Sequence, residues 1–399
     1  MNPSTKPPPE KSGKPVPESL RLMVGQRADA IDTPALVVDL DAMERNLTRM
    51  AEFAKKHGVR LRPHAKMHKS SALARLQVQA GAVGVCVQKT AEAEALAAGG
   101  VTDIYISNEV IAPAKLRRVA ALAQALAAAQ GRLAIAVDSL EGVERLAAAL
   151  EGSGAVVDVF VEIDVGQGRC GVPPGEAALA LAQAIGAHAA LRFAGLQAYH
   201  GKAQHLRTVQ QRREAIAVAV EDVVYTRRLI ETAGIPVDLV TGAGTGTFLL
   251  EAASGVYGEL QAGSFLFMDA DYARNERDPA QPQFEHALFV KTQVISAGAE
   301  HAVCDAGHKS HAIDSGLPLV HALEPGYELI YLNGGDEHGV LRAAGANDRL
   351  PELGRMLWLI PGHCDPTVNL HDFMVGVRGG LLQGKVERII RVDARGALS

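Results

Sequence analysis

Residues 103–137 read DIYISNEVIAPAKLRRVAALAQALAAAQGRLAIAV, and this stretch decides the fold. It opens on a short apolar run, DIYIS (Asp103–Ser107), and closes on another, RLAIAV (Arg132–Val137). The segment between them, PAKLRRVAALAQALAAAQ, carries a helical pattern. A strand, a helix and a second strand in that order make a βαβ unit, whose strands run parallel.

The same rhythm continues in both directions. VRLRP (Val59–Pro63) and VGVCV (Val83–Val87) precede the stretch; VDVFVEI (Val157–Ile163), FAGLQAY (Phe193–Tyr199), VDLVT (Val237–Thr241) and SFLFM (Ser264–Met268) follow it. Eight strands alternating with helices predict an α/β fold built on a (β/α)₈ barrel of the TIM type. A doubly wound sheet carries the same local signals and is the competing architecture. One further run, ALVVDL (Ala35–Leu40), comes earlier. After it, Asp41 reads as the N-cap of a helix whose Met43, Leu47, Met50 and Ala54 share a face, ending near Gly58. Beyond Tyr272 the pattern changes to strand-like runs broken by Gly and Pro, among them HALFVKTQVISA, YELIYLNGG, RMLWLIPG and KVERIIRV. The expected organisation is an arm over 1–31, a barrel over 32–274 and a C-terminal, mainly antiparallel β domain over 275–399.

Composition narrows the function classes. The 399 residues carry 40 Lys+Arg against 45 Asp+Glu, a net charge of −5, and only 4% are aromatic. A mildly acidic chain without long basic runs and with few stacking residues is a poor nucleic-acid binder. Cys86, Cys170, Cys304 and Cys364 lie far apart with no CxxC pair, so neither a disulfide framework nor a structural zinc cluster is expected. No apolar run reaches the ~18 residues of a membrane span, and the Pro- and Lys-rich start lacks the apolar stretch of a secretory signal. A soluble cytoplasmic enzyme is the expectation.

A barrel places its chemistry at the carboxyl ends of its strands. RPHAKMHK, at the end of the first, holds Arg62, His64, Lys66, His68 and Lys69. A lysine shielded from water there can lose its proton and act as a Schiff-base nucleophile; a solvated basic loop is the alternative. VEIDVGQGRCG after the fifth strand supplies Arg169, and LQAYHGKAQH after the sixth supplies Tyr199, His200 and His205. TGAGTGT after the seventh, with Gly242, Gly244, Thr245 and Gly246, suits a phosphate held by backbone N–H groups. It is not a dinucleotide fingerprint, which needs glycine where Thr247 stands. In PGHCDPTVNLHD, His363 and Asp365 are two apart, so an extended backbone would turn both one way and Cys364 the other. Imidazole plus carboxylate suits Mn²⁺, Mg²⁺ or a similar ion; a surface turn is the plainer reading. Cys170 and Cys364 read as packing residues, and DEHG (Asp336–Gly339) is ambiguous.

Together RPHAKMHK, VEIDVGQGRCGV, LQAYHG, TGAGTGT, LQAGSFLFMDADY, DEHG and PGHCDPTVNLHD resemble the D-threonine aldolases and 3-hydroxy-D-aspartate aldolases. These are fold-type III pyridoxal 5′-phosphate enzymes, akin to alanine racemases. The resemblance runs from about Asp32 to Gly396. It implies that Lys66 holds the cofactor covalently, that Arg169 pairs with its ring and that Tyr199 packs beside it. Gln88 would face the cofactor, Gly244 and Thr245 would hold the phosphate, His205 would be the general base, and His363 and Asp365 would bind Mn²⁺, Mg²⁺ or Co²⁺. It also implies that ALVVDL joins the β domain and that a second subunit completes the site in a homodimer.

The activity implied is cleavage of D-3-hydroxy amino acids to glycine and an aldehyde, glyoxylate if the substrate is 3-hydroxy-D-aspartate. The related D-serine dehydratases are the nearest alternative, but carry His-x-Cys and zinc where this chain has Asp365. Non-enzymatic pyridoxal phosphate-binding barrels lack a second domain, and racemases need no metal. Two departures stand out: Ala243 replaces a glycine in the phosphate turn, and His308 stands where an apolar residue is commoner.

Overall fold

In a computed structural model, the structure describes residues 14–321 and 328–399; residues 1–13 of the expected arm lie outside it. The first strand, β1 (Ala35–Asp39), is followed by a helix over Leu40–His57. That helix is capped by Asp39, not Asp41: the Asp39 carboxylate accepts the N–H groups of Asp41 and Ala42. Gly58, at φ 65°, ends it in the left-handed conformation that favours glycine.

Eight parallel strands then form one sheet: β2 (Arg60–Leu61), β3 (Val85–Val87), β4 (Asp103–Ile106), β5 (Arg132–Val137), β6 (Val157–Glu162), β7 (Leu191–Ala198), β8 (Leu239–Gly242) and β9 (Glu259–Leu260). Its order is β2-β9-β8-β7-β6-β5-β4-β3. Where β3 faces β2, the Val83 and Cys86 N–H groups donate to the Leu61 and Pro63 carbonyls, both at 2.9 Å, and close the circle. The barrel expectation is borne out, with one correction. The eighth strand is Glu259–Leu260, whereas SFLFM contains a 3₁₀ turn over Ser264–Leu266. Phe265, Leu266 and Phe267 are all buried on irregular backbone, so no strand alternation governs them.

Both faces of the barrel strands are covered, which is why they read as continuous apolar runs. Outward residues such as Val85, Ile104, Ile135 and Val159 pack on the surrounding helices. Inward, Cys86, Tyr105, Ala134, Ala136 and Phe160 fill the barrel interior. At the amino-terminal mouth Arg62 is buried between Glu259, at 3.1 Å, and Asp103. In β7, Gly195 adopts φ 137°, and a Cβ there would come within 1.8 Å of the Leu239 carbonyl oxygen. Only glycine fits that crossing.

The second sheet contains β1 with β10 (Leu288–Ala297), β11 (Ala302–Cys304), β12 (Leu319–Val320), β13 (Leu329–Asn333), β14 (Gly339–Ala343), β15 (Met356–Ile360), β16 (Phe373–Arg378) and β17 (Lys385–Arg391). β1 lies inside it, antiparallel to β10 and parallel to β16; the other pairings are antiparallel. A continuous apolar core joins this sheet to the barrel through Leu36, Met43, Leu47, Phe265, Leu288 and Leu359. The β15–β16 connection is thereby held over the carboxyl ends of the barrel strands.

Candidate active site

The loops after the barrel strands and the β15–β16 connection enclose a cavity of about 90 Å³. It is lined by Lys66, Gln88, Arg169, Tyr199, His205, Gly244, Thr245, His363 and Asp365, so the nine residues to which the family resemblance assigns a role meet there. A larger cleft of about 910 Å³ abuts it, sharing Thr245 and Tyr272. Lys66, His205, His363 and Asp365 line the smaller one and not the larger.

Lys66 sits in a 3₁₀ turn, Ala65–Met67, just after β2. The His64 ring accepts the Lys66 N–H at 3.3 Å and lies 3.0 Å from the Gln88 amide. Burial, then the Lys66 and Arg169 cations, hold His64 well below its ordinary range, so it is neutral. Burial also acts to lower Lys66, but the Asp365 carboxylate, 3.7 Å away, and Tyr199 outweigh it. The protein alone therefore keeps this ammonium above its ordinary value, contrary to the deprotonation expected from shielding. Two other basic residues of RPHAKMHK are structural: Lys69 pairs with Glu92 at 2.8 Å, and His68 is buried against Gln77.

The glycine-rich turn follows β8. Among the described residues the N–H groups of Gly244 and Thr245 meet no protein acceptor. The Thr245 hydroxyl accepts from Phe265 N–H and still has its own proton to give. Unpaired, buried N–H groups in a turn are an anion cradle, and they fit a phosphate. Ala243 holds φ 71° here, a conformation easier for glycine. Arg169 lies 5.9 Å over the Tyr199 ring.

His363 and Asp365 do not lie on extended backbone. His363 is the N-cap of a short helix, Cys364–Val368, and Asp365 sits in its first turn. Their Nε2 and Oδ1 atoms are nonetheless 3.6 Å apart. Asp314 holds His363 Nδ1 at 3.2 Å, which leaves Nε2 for a cation. An imidazole and a carboxylate so placed fit a divalent ion with water or substrate oxygens completing its shell. Cys364 is not turned cleanly away as alternation required: its buried Sγ lies 3.4 Å from Asp365 Oδ1.

Several neighbours carried no sequence signal of their own. Gln197, Gln261, Ser264 and Tyr272 line the cavity, and Asp271 binds His205 Nδ1 at 2.6 Å. Gln261 and Ser264 follow β9, a placement that reading SFLFM as the eighth strand hides. His200 and His308 do not line the cavity; His308 pairs with Asp336 of DEHG at 2.7 Å. Beside the Arg169 loop, ligand atoms of Glu109, Asp138 and Cys170 lie within 4.8 Å of one another and could hold a cation. Burial and then Glu109 push the nearby Glu162 carboxyl up to about 9.

A parallel barrel with a lysine at its first strand end, roofed by a second sheet, defines a class. Residues 38–271 match the alanine racemase N-terminal domain, and residues 287–377 match a putative serine dehydratase domain. The first match spans more than half of the chain, which belongs to that racemase-like family, on the branch of D-threonine and 3-hydroxy-D-aspartate aldolases. Over 368 residues it is 45% identical to a D-threonine aldolase from Arthrobacter sp., covering 92% of this chain and 93% of that one. Over 391 residues it is 42% identical to the 3-hydroxy-D-aspartate aldolase of Paracoccus denitrificans, covering 96% and 97%. The crystal structure of D-threonine aldolase from Filomicrobium marinum matches with a TM-score of 0.88 at 45% identity, covering 94% of this chain and 98% of that one. The family resemblance read from the motifs is borne out.

Proposed function

We propose that this protein is a lyase that cleaves D-3-hydroxy amino acids of the D-threonine type to glycine and an aldehyde. Pyridoxal 5′-phosphate would be held by the barrel (32–274) and a divalent ion, Mn²⁺, Mg²⁺ or Co²⁺, by the C-terminal domain (275–399). One observation carries the reading: a lysine, a histidine and a His–Asp pair from two different sheets share one cavity. When bound, the cofactor supplies an electron sink for the carbanion left at Cα and the cation supplies a Lewis acid toward the 3-hydroxyl.

The chain's own residues have distinct tasks. Lys66 anchors the cofactor, while the Gly244 and Thr245 N–H groups bind its phosphate. Arg169 and Gln88 orient the ring and Tyr199 covers it. His363 and Asp365 hold the cation. His205 takes the proton of the 3-hydroxyl, a task suited to imidazole at neutral pH. A homodimer acting in the cytoplasm completes the proposal.

Dehydration in the manner of D-serine dehydratase is the second reading, favoured by the match over residues 287–377. Asp365 argues against it, because an oxygen-rich site lacks the thiolate that holds zinc tightly. Incubating the holoenzyme with D-threonine, D-serine and 3-hydroxy-D-aspartate, with and without chelator, decides the matter. Glycine with acetaldehyde or glyoxylate, lost on chelation, is expected. Pyruvate and ammonia from D-serine as the dominant products would overturn it.

A further inference from the structure

The segment LQAGSFLFMDADY ends in two carboxylates that the proposed chemistry leaves without a task. Asp271 has a side chain only 5% exposed, with Oδ2 2.6 Å from His205 Nδ1. Its Oδ1 accepts from Arg207 Nη2 at 2.5 Å, and Arg207 Nη1 reaches both the Asp271 carbonyl, at 2.8 Å, and Asn275 Oδ1, at 2.7 Å. The Asp271 N–H donates to Gly362 O at 3.1 Å. Two residues earlier, Asp269 caps the short helix Ala270–Ala273 and accepts the Cys364 N–H at 3.0 Å. The backbone that presents Asp271 is thus fastened to the loop carrying His363 and Asp365.

From this geometry we infer that Asp271, clamped by Arg207, is the positioning residue for His205. This rests on the reading of His205 as the base for the 3-hydroxyl proton. A neutral imidazole has two tautomers, and only one leaves a lone pair on Nε2. A buried carboxylate already bound by a guanidinium remains ionised and accepts only hydrogen bonds. It therefore fixes the proton on Nδ1 and leaves the Nε2 lone pair as the base. Once Nε2 has taken the substrate proton, the same carboxylate faces the imidazolium and stabilises it. The His205 side chain is 48% exposed, so without this bond little else would hold the ring's orientation.

The test is a double-mutant cycle on the holoenzyme: native protein, Asp271→Asn, His205→Asn and the double variant. In Asp271→Asn, kcat for D-threonine cleavage should fall by about 10²-fold or more, while KM and the visible band of bound cofactor stay near native. The double variant should lose no more than about twofold beyond His205→Asn alone, because Asp271 acts through His205. Asp271→Glu, which keeps the charge, should recover part of the loss; should the Asn variant not fold, Glu takes its place in the cycle. A native kcat in Asp271→Asn, or losses that multiply in the double variant, would overturn the inference. A fully active His205→Asn protein would show instead that the base itself is misassigned, and the inference would fall with it.

Discussion

Lys66 and Asp365 approach each other from different sheets, and each tests a separate part of the chemistry. Among the described residues no other lysine lines the cavity, and Lys69 is committed to Glu92. Lys66→Ala should therefore lose the visible band of bound pyridoxal 5′-phosphate and its borohydride-reducible adduct, read by absorbance and mass spectrometry; an unchanged band would refute the assignment. His205→Asn should keep that band but lose about 10²–10⁴-fold in kcat, measured by aldehyde release. At this scale the sequence was legible where residue type and strand end coincided, as for Lys66, Arg169 and Tyr199. It was not legible for Asp271, because a carboxylate 66 residues along the chain from His205 gives no local sign of which ring it will meet. Asp39 and Asp41 show the same limit, since either can cap a helix and only the exit from β1 decides.

Among the elements, the phosphate turn and the helix Phe248–Ala253 behind it form one buried network. Gln204 accepts the Gly246 N–H and donates to Thr247 Oγ1, which donates to Glu251 Oε1 at 2.6 Å. Glu251 is 1% exposed and its Oε2 has no partner among the described residues. Burial pushes its carboxyl from 4.5 up to about 7, against the Thr247 hydrogen bond. The folded protein therefore holds this proton more tightly than the unfolded chain does. Stability is fully retained below pH 4.5 and falls as pH rises toward 7, by on the order of 3 kcal/mol for this group. Glu251→Gln should abolish that part of the decline, giving a variant whose urea midpoint exceeds the native value at pH 7.5 but not at pH 4.5. Equal midpoints at both pH values would refute it. SFLFM teaches a related lesson: a short apolar run is buried either way, and periodicity cannot tell a strand from an irregular turn packed between sheets.

For the whole molecule, the barrel rhythm was plain because parallel strands covered on both faces must be apolar throughout. The two-residue strand β12, and the closure between β2 and β3, were not, since a few residues carry too little pattern. In the proposed function, the two-sheet construction would also separate cofactor from cation. Chelation, or Asp365→Ala, should stop cleavage while leaving the visible band of the barrel-bound cofactor nearly intact. Loss of the band together with activity would mean that the two sites are not independent.

The position of β1 has a consequence for how the chain is made. It is synthesised well ahead of its neighbours yet lies inside the second sheet, between β10 and β16, which begin at Leu288 and Phe373. At ~5–20 residues per second of translation, this strand emerges on the order of tens of seconds before either neighbour exists. A nascent chain must carry it unpaired while the barrel forms behind it. A fragment that starts at Asn275 would have the two flanks of a sheet and no centre. Expressed alone it should aggregate, and co-expression with a segment carrying Ala35–Asp39 should restore it to solution.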